Sequence, residues 1–330
     1  MNLFFSLVVI AVLIALPWVL VGAAGLDYLF GVIVPYVALT VFVVGLVMRV
    51  LQWACLPVPF RIPTTCGQQK SLSWIKSSRL ECPHSTWGVI GRMLLEVLFF
   101  RSLFRNTRSE LRDGSRLTHL ADKWLWAGGL AFHWTFLIIV ARHFRFFLEP
   151  VPWCVSAIEG LDAFFQIGLP IIYLTDVIIV AALTYLFFRR IVNPRLRYIS
   201  LAGDYFPLLL LLGIVISGVW MRYFDKTDIV GIKELAMGLV TLGPVMPEGI
   251  GVTFFVHLFL VSALLIYFPF SKLVHAGGVF FSPTRNLANN NRVKRHINPW
   301  DYPVKVHTYE EYEEEFRDVM KAAEMPLEKE

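Results

Sequence analysis

Apolar positions along the chain gather into six long blocks, and the polar positions between them gather into loops of two contrasting kinds. The blocks run from Leu3 to Ala24, Tyr28 to Leu51, Trp124 to Leu148, Phe164 to Phe188, Tyr205 to Phe224 and Val252 to Leu273. Each meets the requirement of about 20 mainly apolar residues for a helix that crosses hydrocarbon. The pattern therefore predicts an all-α membrane protein with six transmembrane helices. The first block lacks a basic leader and its apolar run is too long for a secretion signal, so it is read as a retained helix.

The loops orient this bundle. The stretch from Pro57 to Lys123 carries eleven Lys and Arg, among them Arg101, Arg105, Arg108, Arg112 and Arg116, and the turn after the fourth block holds Arg189, Arg190, Arg195 and Arg197. Lys and Arg concentrate in cytoplasmic loops, which puts both inside. The connection near Gly25 has Asp27 and no base, that from Glu149 to Asp162 is acidic, and that from Arg222 to Glu248 is near neutral, so these belong outside. All five loops agree on both termini being cytoplasmic, with the third and sixth spans antiparallel. The expected organisation is two N-terminal transmembrane helices (1–56), a basic cytoplasmic loop (57–123), a four-helix core (124–275) and a cytoplasmic tail (276–330).

Two segments outside the spans have helical spacing. Trp87 to Arg105 places Leu94, Leu95, Leu98 and Phe99 on one face, with Arg92, Glu96 and Arg101 around the rest. It is too charged to span and reads either as an interfacial amphipathic helix on the inner membrane surface or as a helix packed against a soluble partner. In the tail, Thr308 and Glu311 form a capping box, and Tyr309, Tyr312, Phe316, Val319, Met320 and Ala323 follow helical spacing. This is a short soluble helix whose apolar edge suits docking onto a cytoplasmic partner. No internal repeat is visible.

Composition supports the membrane assignment. The 330 residues are 56% hydrophobic and 17% charged, against about 25% charged in an ordinary soluble domain. The net charge of +5 comes from basic loops, so nucleic-acid binding is not expected, and the location is the cytoplasmic (inner) membrane, multi-pass. Cys55, Cys66, Cys82 and Cys154 make no C-x-x-C or C-x-x-C-H, so any iron-sulfur cluster belongs to a partner.

Four histidines carry the candidate chemistry. His133 and His143 lie in the third block, His257 in the sixth and His275 just past its end, where an ionisable side chain in hydrocarbon is a functional candidate by default. Haem b in a membrane is held by two imidazoles from two helices, because a flat macrocycle between helices needs an axial nitrogen on each face. His257 and His275 are 18 residues apart, five turns of one helix and about 27 Å of rise. His133 and His143 are ten apart, about 15 Å of rise and some 80° of azimuth. With the two helices antiparallel, His143 meets His257 near the outer surface and His133 meets His275 near the inner one, and two stacked haems follow. Gly128, Gly129 and Gly277, with Gly278, remove side chains near the inner macrocycle. Non-haem metal ranks lower because no carboxylate accompanies these histidines. His84, His119, His296 and His307 lie in polar loops or the tail and are read as surface residues.

Other polar groups fall at membrane depth. Asp176 is placed near the middle of the fourth span, either hydrogen-bonded in its neutral form or part of a proton path. Arg142 and Arg145 flank His143 and either pair with haem propionates or snorkel to the interface. A quinol oxidised beside the outer haem needs proton acceptors, and Asp162, Gln166 and Glu149 fall at that level. A quinone site at the inner end, near Arg49 or Lys272, is the other placement. A haem-free quinone-binding anchor is the rival function, and a transporter is disfavoured because broken helices and pseudo-symmetric halves are not visible.

The two pairs of histidines on antiparallel helices resemble those of the gamma (cytochrome b) subunit of respiratory nitrate reductase and of the haem b subunit of membrane heterodisulfide reductase. That resemblance implies ligand roles for His133, His143, His257 and His275 toward two b haems, with the quinol site beside the His143 and His257 haem. The stretches GRMLLEVLFFRSLFRNT and RVKRHINPWDYPVKVHTYEEYEEEFRDVMKAA resemble the M subunits of sulfite-reductase-associated Dsr MKJOP complexes of sulfate reducers. This closer resemblance implies menaquinol as the carrier and a cytoplasmic iron-sulfur partner, the K subunit, like that of heterodisulfide reductase. A multihaem cytochrome c, a ferredoxin-like protein and a second quinone-interacting membrane subunit would complete the assembly.

Overall fold

The computed structural model describes residues 2–56, 67–104, 108–114, 116–163, 171–294, 303 and 306–328. Among them, five helices are long and apolar enough to cross a membrane: Asn2–Ala24, Leu29–Ala54, Lys123–Phe146, Ala202–Asp225 and Val252–Phe270. The regular α-helical parts are α1 (Asn2–Ala24), α2 (Val34–Ala54, entered through a π-helical turn at Leu29–Ile33), α5 (Lys123–His143), α9 (Ala202–Trp220) and α11 (Val252–Tyr267). A sixth long helix, α7 (Leu174–Val192), runs among them, packed between α5 and α9, and is followed by the short α8 (Pro194–Ile199).

The fourth helix differs from expectation in its start. The apolar block from Phe164 predicts a helix that far upstream, but the described helix begins at Leu174 after extended backbone at Tyr173, and residues 164–170 lie outside the described part. Asp176 is therefore in the first turn of α7, not in its middle. A carboxylate there faces the unsatisfied N–H groups and positive dipole end of the helix, a far less costly place than mid-bilayer.

The sixth helix also departs from the uninterrupted cylinder assumed above. α11 ends at Tyr267, tightens through Phe268–Phe270 around Pro269, and breaks at Ser271, whose backbone is extended. A further tight turn, Lys272–Val274, leads into α12 (His275–Phe281). Proline cannot donate the helical hydrogen bond, and the Ser271 hydroxyl stabilises the break, donating to Phe268 O at 3.0 Å and accepting from Leu273 N–H at 3.1 Å. The five-turn spacing from His257 to His275 is therefore not realised on one helix.

Helices successive in the sequence alternate in direction and give the bundle two chemically distinct ends. α5 packs on α7, α7 on α9 and α9 on α11, while α1 covers α9 and α11, and α2 lies on α11. At the end bearing His133, Asn2 donates to Ser200 O at 3.1 Å, Arg189 pairs with Asp122 at 2.6 Å and Lys272 with Asp204 at 2.7 Å. At the end bearing His143 lie two short helices that the block pattern does not predict, α6 (Trp153–Asp162) and α10 (Ile229–Val240). Phe30, Val32, Val21, Leu235, Phe254 and Phe255 form one apolar core there, and Ile179, Leu183 and Leu211 knit α7 to α9 further along. Phe4, Phe5 and Trp18 of α1 are exposed, as a lipid-facing surface requires.

The segment before α5 is not wholly helical. It holds α3 (Thr86–Phe99), α4 (Arg101–Phe104) and an antiparallel hairpin, β1 (Arg108–Arg112) with β2 (Arg116–Leu120), in which Glu110 faces Thr118. Among the described residues this hairpin is the one β element beside the helices. In α3, Arg92 is 1% exposed, whereas Trp87, Ile90 and Leu94 point outward. Its guanidinium is buried because acceptors await it. Nε donates to Arg285 O at 3.1 Å, Nη1 to Glu81 O at 3.3 Å and Nη2 to Leu287 O at 3.0 Å. Burial first, and neighbouring Arg285 second, lower its pKa from the usual arginine value. α3 is thus clamped through Arg92 to the chain's own segment after α12.

The tail helix, α13 (Tyr309–Ala322), starts at the expected capping box: Thr308 N–H donates to Glu311 at 3.1 Å and Glu311 N–H to Thr308 Oγ1 at 3.3 Å. Its expected apolar edge splits. Met320 is buried, while Tyr309, Tyr312, Phe316 and Val319 remain exposed.

Candidate functional site

His133, one helical turn after Gly129 on α5, and His275, the first residue of α12, come together although the break in α11 separates His275 from the helix assumed to carry it. Their ring centres are 6.0 Å apart with the planes at 78°. His133 Nδ1 lies 2.7 Å from Gly129 O and His275 Nδ1 lies 2.8 Å from Lys272 O. A carbonyl oxygen only accepts, so both Nδ1 atoms carry the proton and both Nε2 atoms keep a free lone pair. Phe132 and Phe100 stand edge-on to His133 at 4.9 and 4.8 Å. Phe100 reaches it from the C-cap of α3 in the left-handed region, at φ 49°, which is uncommon for a bulky residue and marks a position fixed by its surroundings.

At the other end His143 closes α5, and its Nδ1 donates to Ile139 O at 2.7 Å. His257, in the second turn of α11, lies within electrostatic range of His143. Its Nδ1 is 2.9 Å from Ser217 Oγ of α9. The next residue on α9 is Gly218, where a Cβ would stand 3.3 Å from His257 Cε1, so a small residue seats the ring.

The donor chemistry fits axial ligation. In all four rings Nδ1 is engaged and Nε2 is left over, the arrangement by which a ligating histidine is oriented and made more basic. Two imidazoles bound on opposite sides of one metal at about 2 Å place their ring centres roughly 6 Å apart, in line with His133 and His275. Among the described residues no three His, Cys, Asp or Glu side chains converge as a metal cage, so two-histidine pairs suit a planar macrocycle that supplies its own equatorial nitrogens.

The glycines expected beside the inner macrocycle have other neighbours. A Cβ on Gly128 would meet the Tyr185 ring at 2.8 Å, so this glycine admits α7 to α5. One on Gly129 would meet Leu103 at 3.3 Å, and Gly129 O anchors His133. Gly277 faces open space and Gly278 abuts Trp53 at 3.3 Å.

A charged cluster surrounds the His143 end. Arg142 Nη1 pairs with Asp162 at 2.6 Å, donates to Thr175 Oγ1 at 3.0 Å and lies 3.6 Å from Asp176. Asp162 also accepts Thr175 N–H at 2.9 Å and the Thr175 hydroxyl at 2.6 Å, so both of its oxygens are committed. The Tyr173 ring is sandwiched between two guanidiniums, Arg142 at 3.4 Å and Arg222 at 4.0 Å, and its hydroxyl donates to Glu159 at 2.6 Å. Arg145 also pairs with Glu159. Tyr223 donates to Asp176 at 2.8 Å. Both arginines flanking His143 are thus held by carboxylates of the chain itself.

Of the residues expected near a quinol, Asp162 is deeply buried in this cluster, Glu149 is exposed and paired with Lys233 of α10, and Gln166 lies outside the described residues. Sequence reasoning missed Glu159, Tyr173, Tyr223, Ser217, Gly218 and Phe100. A Ser-Gly pair inside an otherwise apolar helix was the one available signal, since it offers both a polar anchor and room for a ring.

Comparison with known proteins gives a consistent result. The family model described as nitrate reductase gamma subunit matches residues 84–296. The chain is 49% identical over 280 residues, 83% of each chain, to the "Hdr-like menaquinol oxidoreductase cytochrome b-like subunit" of Archaeoglobus fulgidus. It is 40% identical over 274 residues, 81% of each, to the protein of the same description from Archaeoglobus profundus. It is also similar to the nitrate reductase gamma chain of Bacillus subtilis, 26% identical over 223 residues, which span 63% of this chain and 96% of that one.

Proposed function

The chain belongs to the nitrate reductase gamma-subunit family, and from that premise we propose that it is the dihaem cytochrome b subunit of a menaquinol oxidoreductase, passing electrons from menaquinol to a cytoplasmic iron-sulfur partner in sulfur metabolism. The observation that carries this is the state of the four rings, each with Nδ1 anchored and Nε2 available, gathered as two pairs at opposite ends of one bundle. His133 and His275 would hold the inner haem and His143 and His257 the outer one. When bound, the two irons would relay single electrons between the two sides of the membrane.

The chain's own residues supply the rest. α7 is taken as the sixth membrane-crossing helix, with both termini cytoplasmic and the basic loops inside. Menaquinol is oxidised at the His143 end, and its protons need carboxylates that can release them outward. The Asp162 side chain is 3% exposed and fully engaged, whereas Glu159, holding the Tyr173 hydroxyl, is 26% exposed. Glu159 is therefore assigned the proton-accepting role, with Asp162 fixing Arg142 and the start of α7 around it. Moving each electron inward against a negative-inside potential costs about 2.3 kcal/mol per 100 mV, work the redox couple must provide. The K-like iron-sulfur subunit docks at the His133 end, where α3, α12 and the following segment meet. The multihaem cytochrome c, ferredoxin-like and second membrane subunits complete the assembly.

The test is a pyridine haemochrome assay on the purified chain with His143→Ala and His133→Ala variants. Two b haems per chain are expected, with each variant losing one and retaining the other. A chain without haem absorption in reduced-minus-oxidised spectra overturns the proposal in favour of a haem-free quinone-binding anchor.

A further inference from the structure

His257 is the one ring of the four whose Nδ1 is anchored by a side chain. The other three donate to main-chain carbonyls of their own local helix or turn, at Gly129, Ile139 and Lys272. His257 instead reaches across to α9 and meets Ser217 Oγ at 2.9 Å. Ser217 is itself 2.9 Å from Ile214 O. Its hydroxyl has one proton, and Ile214 O can only accept, so the proton is directed there and a hydroxyl lone pair faces His257. Nδ1 of His257 must then carry its own hydrogen, which leaves Nε2 unprotonated. Ser217 is 9% exposed and His257 half-buried, and the Ile214 carbonyl that also interacts with the His257 ring already holds the Ser217 hydroxyl, so loss of that hydroxyl removes the direct acceptor of Nδ1–H. Gly218, one residue on, lets the ring lie this close to α9.

We propose that Ser217 is the positioning residue of His257, fixing its tautomer through the Ile214–Ser217–His257 chain and so tuning the electron affinity of whatever Nε2 ligates. This rests on the reading of His143 and His257 as haem ligands and goes one step beyond it. An acceptor on Nδ1–H makes an imidazole a stronger electron donor, which favours the oxidised metal. Removing the acceptor raises the midpoint potential of that haem. The main-chain anchors cannot be deleted by substitution, so Ser217 is where a single side chain separates the two haems.

The experiment is a redox titration followed optically and by electron paramagnetic resonance, on the full chain carrying Ser217→Ala, Ser217→Cys or Ser217→Thr. Ser217→Ala is expected to raise the potential of one haem and shift its low-spin signal, leaving the other haem and the two-haem stoichiometry unchanged. Ser217→Thr, which keeps the hydroxyl, restores both readouts. Ser217→Cys keeps the volume with a poor acceptor and gives the same direction of shift, which serves if the alanine protein does not assemble. Unchanged potential and signal in both the alanine and cysteine proteins overturn the assignment, as does an equal shift of both haems. Absence of haem from the unsubstituted chain overturns the ligand reading and this inference with it, an outcome visible before any variant is made.

Discussion

At the scale of single residues, the buried charges of this chain are placed by the acceptors and donors that await them. Arg92 is surrounded by the carbonyls of Glu81, Arg285 and Leu287, and each carbonyl left without a partner costs about 1–3 kcal/mol. Arg92→Ala is therefore expected to destabilise the contact between α3 and the 285–287 segment by several kcal/mol, read as faster proteolysis in 67–104 and a lower thermal midpoint in detergent. Unaltered proteolysis and midpoint would mean that the clamp contributes nothing. Glu159 poses a functional question instead. Glu159→Gln keeps the shape and a hydrogen bond to Tyr173 but cannot accept a quinol proton, so quinol oxidation is expected to fall by about 10²-fold or more, the usual worth of a positioned base, with haem content intact. Full activity in Glu159→Gln would move the proton acceptor elsewhere.

At the scale of elements, the break between α11 and α12 decides where His275 points. Pro269 and Ser271 interrupt the helix, and His275 meets His133 from the start of a new short helix rather than from five turns along the old one. Pro269→Ala restores the missing N–H and lets the helix run on, which is expected to disturb the haem proposed between His133 and His275 while sparing the one proposed between His143 and His257. Low-spin resonance signals that shift for one haem only would bear this out, and two unshifted signals would count against it. The same elements show what the sequence could disclose. Four imidazoles beside apolar helices stand out because ionisable groups are rare there, and His133 and His275 lie 6.0 Å apart although the single uninterrupted helix assumed for His257 and His275 is broken. Asp176 was misplaced because apolar character alone cannot locate where α7 begins. Ser217 and Glu159 stayed hidden because a lone hydroxyl in an apolar helix and a carboxylate on a short connecting helix are chemically unremarkable until the fold sets a histidine or a tyrosine against them. The burial of Arg92 was equally illegible, since two of its three acceptor carbonyls, those of Arg285 and Leu287, come from almost two hundred residues away.

At the scale of the whole molecule, the two ends of the bundle differ in charge, and that difference makes orientation testable. Cys55 follows α2 at the His133 end, and Cys154 lies in α6 at the His143 end, and both are exposed. Lys and Arg within short loops hold those loops in the cytoplasm, and Arg189, Arg190, Arg195 and Arg197 share the His133 end with Cys55. In intact spheroplasts, a membrane-impermeant maleimide is therefore expected to label a variant that keeps only Cys154 and to spare one that keeps only Cys55, with the pattern reversing in inverted vesicles. Labelling of Cys55 from outside would turn the molecule over. His143 and His257 would then face the cytoplasm, the protons of quinol oxidation would be released inside, and electron transfer toward the partner would no longer run against the membrane potential. The sidedness of two thiols thus distinguishes a subunit that works against the transmembrane field from one that does not.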